Sequence, residues 1–501
     1  MDIQPSGWSS APEPLSIDLS REGRRGLYFP KLELPESGTD LPQELKRRRA
    51  PVWPELSESE VVRHFTRLSA KNHHVDKNIY PLGSCTMKYN PKISEAMARL
   101  PGIADMHPLQ NDSSMQGALA LMWELERLLA AISGFDAISL QPAAGAHGEL
   151  AGLMAIRAYH EANGDGEKRK RVLMPDSAHG TNPASVTLNG FSSHELKSNA
   201  EGRVDMAVLE AALDEDVACL MITNPNTLGL FESNIDRICE MVHDAGGLVY
   251  MDGANLNALL GIVLPREVGV DVMHFNLHKT FGTPHGGGGP GAGPIGVTSR
   301  LEPFLPVPRI LREKKSDGEN EFLYRRVWDF PQSIGKIHGH YGNFGVIVRA
   351  YCYIIALGHD GLADASRAAV INANYLMNQL LEDYDLAYPG PCMHEFVLSG
   401  SRQKTDHGVA TLDIAKRLLD FGFYAPTVYF PLIVSEALMI EPTETETRET
   451  LDTFAQVLRQ IAREAADDPL TVRGAPYHTP VCRPDEVYAA KNPDLRWRKE
   501  S

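Results

Sequence analysis

DVMHFNLHKTFGTPHGGGGPG (residues 271–291) and the shorter LVYMD (residues 248–252) decide how this chain is folded. Each opens on a short apolar run and reaches one chemistry-bearing side chain, Lys279 in the longer and Asp252 in the shorter. Apolar runs of this length, bounded by polar or turn residues, read as buried strands. The two side chains are 279 − 252 = 27 residues apart. That is about one strand–helix–strand crossover, so they can converge at one edge of a parallel sheet.

The pattern extends outward from this pair. Further apolar runs fall at 138–140, 172–174, 219–222 and 295–297, and helical patterns at 148–159, 206–213 and 235–245 lie between several of them. A longer helix is expected over 117–133, where Leu119, Met122, Leu125, Leu128, Leu129 and Ile132 share one face. Buried strands alternating with helices indicate an α/β fold, a largely parallel sheet covered on both faces. Such sheets bind ligands beyond the carboxyl ends of their strands. The segments 141–148, 176–182, 224–229, 252–257 and 277–279 all fall there.

These ends carry the candidate chemistry. Lysine is seldom buried; one that follows an apolar strand, as Lys279 does between His278 and Thr280, is placed to be an amine nucleophile. An amine there and a carboxylate at Asp252 suit pyridoxal phosphate: the lysine forms a Schiff base, and the carboxylate keeps the pyridine nitrogen protonated. The plainer reading of Asp252 is a helix cap. Ala254 is small enough to lie under the ring. AAGAHG at 143–148, containing Gly145 and Ala146, is a small-residue turn opening a helix, where backbone N–H groups favour a phosphate; simple turn chemistry is its rival. Two readings stand for His179, a ring stacked on the pyridine or a capping histidine. Two also stand for Asn224, a donor to the cofactor's phenolic oxygen or an Asx turn before Pro225. The glycines at 286–289 lack the Gly-Lys-Ser/Thr ending of a nucleotide-hydrolysing loop and read as sites of close backbone approach. His73, His74, His278 and His285 come with no metal-binding motif, so no metal is expected.

Composition narrows the function classes. The 501 residues suggest two to four domains. Lys and Arg number 49 against 65 Asp and Glu, a net charge of −16, which argues against non-specific binding to nucleic acid or an anionic membrane. The basic run at 46–49 reads as a solvated face. Six scattered cysteines with no CxxC fit a reducing compartment, and the acidic, Pro-rich start resembles neither a secretory signal nor an Arg-rich transit peptide. A cytoplasmic protein is expected. The expected organisation is an arm and helical segment over 1–115, a large α/β domain over 116–335, a small α+β domain over 336–470 and a tail over 471–501. A helix is expected near 58–68, loop over 78–92, irregular chain over 300–328 and a helix near 345–356.

Longer motifs identify a family. YPLGSCTMKYNP (80–91), LQPAAGAHGE (140–149), HGTNPAS (179–185), TNPNTLGLFE (223–232), MDGANLNALLG (251–261), NLHKTFGTPHGGGGPG (276–291), YGNFGVIVRAY (341–351) and FPLIVSEALMIEPTETE (430–446) closely resemble the P-protein of the glycine cleavage system. The resemblance covers nearly all of the chain from about residue 60, and its half-sized length with an intact Lys279 resembles the second, lysine-bearing subunit of the split enzyme. It implies the aminotransferase-like fold type I with a seven-stranded sheet, pyridoxal phosphate, and glycine decarboxylation with transfer of the aminomethyl group to a lipoyl arm. Lys279 and His179 are then the expected catalytic residues. The implied partners are a first subunit, two of each per assembly, and the lipoylated H-protein. By the same resemblance residues 80–90 lie near the site, and His179, His278 and Cys85 are candidates for reprotonating the lipoyl thiolate. Gly282 is a local departure, where a slightly larger residue is expected. The alternatives are a stand-alone decarboxylase of the same fold and a non-catalytic scaffold.

Overall fold

Seven strands build the main sheet: β1 (Ala137–Ser139), β2 (Arg171–Pro175), β3 (Ser192–Leu196), β4 (Val217–Thr223), β5 (Leu248–Gly253), β6 (Val272–Phe275) and β7 (Ile295–Val297). They lie in the order β1-β7-β6-β5-β4-β2-β3. All neighbours pair in parallel except β7, which runs antiparallel to both β1 and β6. The central strands β4 and β5 are buried at every residue. Covered on both faces, they are apolar rather than alternating up to Thr223 and Asp252 at their carboxyl ends. The computed structural model describes residues 12–31, 33, 41–49, 51–283, 291–314 and 322–496.

Two compact units divide these residues. The larger takes in the described residues within 74–418 and 423–475, and the smaller those within 12–73, 419–422 and 476–496. In the larger, the helix Gly145–Ala162 packs across β4, β5, β6 and β7, and Gln116–Ser133 packs against β1 and β7. Leu119, Leu125 and Leu129 on the latter are fully buried. Each such side chain stabilises the fold by about 1.5–3 kcal/mol relative to exposure. A hairpin follows the sheet, β8 (Arg309–Lys314) with β9 (Phe322–Val327). A second sheet, antiparallel, holds β10 (Asp385–Leu386), β11 (Phe396–Ser399), β12 (Thr427–Val428) and β13 (Ala437–Ile440) in the order β10-β11-β13-β12. In the smaller unit the helix Glu58–Lys71 carries a capping box between Ser57 and Glu60, and Arg67 donates to Glu13 at 2.6 Å. Arg47, Arg48 and Arg49 are exposed, as a solvated face should be.

Three expectations are corrected. The strand β3 was not expected: its SSHEL sequence is exposed at four of five residues, because an edge strand needs ladder partners but no apolar run. The stretch 300–328 holds the hairpin β8–β9 rather than irregular chain. The helix expected near 345–356 is Phe344–Asn378, 35 residues broken at Gly358 (φ 64°, ψ −173°). By length and composition this helix is apolar enough to cross a membrane. Here it packs against the helices Lys92–Ala98 and Gln116–Ser133.

Candidate active site

Beyond the carboxyl ends of the parallel strands lies a cavity of about 280 Å³, lined from all five segments singled out in the sequence. Gly145 and Ala146 come from the helix after β1, His179 and Thr181 from the turn after β2, Thr223 and Thr227 from the end of β4, Asp252 and Ala254 from the end of β5, and His278 and Lys279 from the turn after β6.

Asp252 is buried, and both oxygens of its carboxylate have partners. Oδ1 accepts from the backbone N–H of Ala254 at 2.9 Å and lies 3.2 Å from His274 Nε2; Oδ2 accepts from Asn182 Nδ2 at 3.2 Å. Burial alone would raise its pKa. His274, Lys279 and the two donors outweigh that and hold it below the usual carboxylate range. The other nitrogen of His274 lies 2.8 Å from the hydroxyl of Tyr250. Burial pushes that phenol well up, so it stays a protonated hydroxyl beside the ring. Residues on two neighbouring strands thus orient one anion into the cavity.

Lys279 is half-buried at the third position of the short helix Leu277–Thr280. Its Nζ donates to the carbonyl of Ser84 at 2.8 Å. Ser84 and Cys85, from the segment 80–90, line the cavity too. The Cys85 thiol is raised by burial, against the opposing charge of Lys279.

His179 stands opposite, its ring edge-on to Phe430 at 5.8 Å. Its Nδ1 accepts from the backbone N–H of Thr181 at 3.3 Å, and burial lowers its pKa, so the ring is held neutral. The Thr181 hydroxyl donates to buried Glu149 at 2.7 Å, and Ser185 donates to the other oxygen of the same carboxylate at 2.7 Å. His278 lines the wall, with Nδ1 accepting from the backbone N–H of Ala292 at 3.1 Å.

Asn224 is the one named candidate that does not line the cavity. It is buried, and its Oδ1 accepts from the backbone N–H of Glu232, eight residues on, at 2.9 Å, a longer-range contact than an Asx turn makes. The glycines at 286–289 and His285 lie outside the described residues. Gly282 takes a left-handed conformation (φ 69°), which accounts for glycine there. Sequence reasoning passed over Glu149, Thr181, Thr223, Thr227, His274 and Asn276. The only trace was position: each falls in a strand or in the segment that follows one, but nothing in its residue type marks it.

Pyridoxal phosphate fits this arrangement. The Thr223 hydroxyl is buried in the cavity wall and meets no hydrogen-bond partner among the described residues. A Cβ on Gly145 would stand 2.4 Å from the side-chain oxygen of Asn276, so this turn has room for backbone and ligand only. An amine, a carboxylate of fixed charge and a helix N-terminus face the same space.

Comparison with known proteins agrees. The family model described as glycine cleavage system P-protein matches residues 35–324, and that of the glycine dehydrogenase C-terminal domain matches 365–471. A protein of Pelodictyon phaeoclathratiforme named probable glycine dehydrogenase (decarboxylating) subunit 2 is 58% identical over 481 residues, covering 96% of this chain and 98% of the relative. A Caldanaerobacter subterraneus protein of the same name is 56% identical over 487 residues, covering 97% and 99%. Among solved structures, an inhibitor-bound glycine decarboxylase (P-protein) of the glycine cleavage system superimposes with a TM-score of 0.72 at 20% identity, over 84% of this chain and 93% of that one. A NifS-like protein does so with a TM-score of 0.57 at 16% identity, over 77% and 99%. The fold is that of the type I pyridoxal-phosphate enzymes, and the chain belongs to the glycine cleavage system P-protein family, the decarboxylating glycine dehydrogenases that use pyridoxal phosphate.

Proposed function

We propose that this chain is the lysine-bearing subunit of a two-subunit glycine decarboxylase, and that the cavity between Lys279 and Asp252 is its catalytic centre. The observation that carries the reading is the convergence of that amine and that carboxylate, from the ends of adjacent strands, on one cavity edged by a helix N-terminus. When bound, pyridoxal phosphate supplies an electron sink for the pair left as glycine's carboxylate departs as carbon dioxide.

The chain's own groups do the rest. Lys279 anchors the cofactor through its amine. Asp252, kept anionic by His274, Asn182 and the Ala254 N–H, holds a proton at the pyridine nitrogen. His179, neutral and steadied by Thr181, would stack on the ring, and Ala254 is small enough to lie under it. Backbone N–H groups at Gly145 and Ala146 take the phosphate, with the dipole of an 18-residue helix behind them. Thr223 and His278 complete the wall; Asn224 acts at one remove, fixing the turn after β4. Burial keeps the Cys85 thiol protonated, a proton source within the cavity. The aminomethyl group passes to the lipoyl disulfide of an H-protein, where sulfur accepts the electrons. The subunit 2 in the relatives' names supports a first-subunit partner, and two of each is the proposed assembly, acting in the cytoplasm.

Borohydride reduction of the purified chain with pyridoxal phosphate, followed by peptide mapping, tests the site. The expected result is one adduct, on Lys279. Exchange of labelled carbon dioxide with glycine is expected only when first subunit and lipoyl-H-protein are added. Full turnover by this chain alone would favour a stand-alone decarboxylase, and absence of any adduct a scaffold.

A further inference from the structure

A buried acidic cluster lies behind the cavity wall. Glu395 precedes β11, Glu441 follows β13, and His394 stands beside them; all three are at most 1% exposed. A ligand-type atom from each lies within 4.8 Å of the others. Both carboxyls grip the turn that holds Lys279. Glu395 Oε2 accepts from the backbone N–H of Ser84 at 2.7 Å, and Glu441 Oε1 accepts from the Thr86 hydroxyl. The carbonyl of the same Ser84 receives Lys279 Nζ at 2.8 Å. Ser84 sits in the left-handed region (φ 61°), which a residue with a Cβ adopts only where its surroundings impose it. Next to it, Gly83 donates to the carbonyl of Met439 on β13, and a Cβ on Gly83 would fall 2.3 Å from the Met439 side chain. The turn is therefore pinned to the second sheet and aimed at Lys279.

Two buried carboxylates this close do not both stay ionised without a compensating charge. The groups facing them are Lys279, Lys88, His394 and Cys85. Lys88 is already paired with Glu444. Burial, aided by both lysines, drives His394 down to about 3, so its ring is neutral. Neither of its nitrogens, nor Glu441 Oε2, meets a hydrogen-bond partner among the described residues. Glu395 has two donors, Ser84 N–H and Asn255 Nδ2, the latter at 3.1 Å, whereas Glu441 has only a hydroxyl. Donors favour the anion, so Glu395 ionises before Glu441; burial still lifts Glu395 to about 7, and above that pH the charge lies on Glu395 and the proton on Glu441.

We propose that Glu395 and Glu441 are positioning residues for Lys279: the pair holds a single proton and sets, through the Ser84 turn, the charge that the lysine amine faces. The inference rests on Lys279 being the amine that takes the cofactor. Loss of the Glu395 charge makes an ammonium at Lys279 less favourable, and loss of the Glu441 proton makes it more so.

Two measurements on the full chain test this. The first is the infrared difference between wild type and Glu441→Gln at pH 7. Loss of one protonated-carboxyl band is expected; loss of ionised-carboxylate absorption alone would overturn the proposal. So would a stoichiometric metal ion that disappears in Glu441→Gln. The second is the pH dependence of borohydride-trapped pyridoxal phosphate on Lys279. Glu395→Gln should move its midpoint to lower pH by on the order of one unit. Glu441→Gln, which mimics the protonated acid, should leave it in place. A lower yield at an unchanged midpoint in Glu395→Gln would reduce the pair to a structural role. If wild type gives no adduct, the cofactor reading fails instead, and the infrared measurement still decides the pair.

Discussion

Replacing Asp252 by Asn separates anchoring of the cofactor from its activation. Asn keeps the shape and an oxygen for the Ala254 N–H and His274, but it removes the charge and turns an amide N–H₂ toward Asn182 Nδ2, itself a donor. In the wild type the charge is buried and held low in pKa, and in the proposed role it faces a proton on the cofactor's pyridine nitrogen. Two unit charges about 4 Å apart interact by about 4 kcal/mol at an effective dielectric of about 20. At 1.36 kcal/mol per decade, that is on the order of a thousandfold in rate. Lys279 is held from the other side, by the Ser84 carbonyl, so trapping of the cofactor on Lys279 should persist. The assay is exchange of labelled carbon dioxide with glycine, in the presence of first subunit and lipoyl-H-protein, beside borohydride trapping. Exchange within tenfold of wild type, with normal trapping, would refute the reasoning, because the ring proton would then not depend on this carboxylate.

Other outcomes follow from the same geometry. Lys279→Ala should abolish both the trapped adduct and the exchange, as peptide mapping and the labelled-carbon-dioxide assay will read. Gly145→Ala places a Cβ 2.4 Å from Asn276 Oδ1 and should weaken pyridoxal phosphate binding about tenfold or more, measured by titration of its visible absorbance. Leu125→Ala, at a fully buried position, should cost about 2–5 kcal/mol and lower the denaturation midpoint. Burial lifts Glu126 from 4.5 to about 8, so the unfolded chain ionises first and the penalty on folding grows from pH 4.5 upward until about pH 8. Glu126→Gln should therefore raise the melting temperature much more at pH 8 than at pH 5, and an equal rise at both would refute that reading. Asp252 has the opposite sign: its depressed value gives stability present at neutral pH and lost only as pH falls below the unfolded carboxylate range, near 4. An Asp252→Asn stability deficit at pH 7 that vanishes under acid would bear this out.

The sequence by itself determined the class of fold and singled out the two residues on which the proposed chemistry rests. Strands β4, β5 and β6 are buried on both faces, so their apolar runs had to be continuous, and Asp252 and Lys279 stand out because each interrupts or follows such a run. Where burial does not dictate composition, the sequence was silent. The edge strand β3 and the exposed hairpin β8–β9 are held by ladder hydrogen bonds, which every residue but proline can make. Tertiary structure alone decided the rest of the site. Glu149, Thr223 and His274 become part of the wall only because strands distant in sequence are neighbours in the sheet, and Asn224 turns away from it because a backbone N–H eight residues on engages its oxygen. The contact between Lys279 and Ser84, 195 residues apart, and the carboxyls of Glu395 and Glu441 behind it, meet through the packing of a loop on the second sheet. Periodicity reports which face of an element is buried, but not which other element covers it.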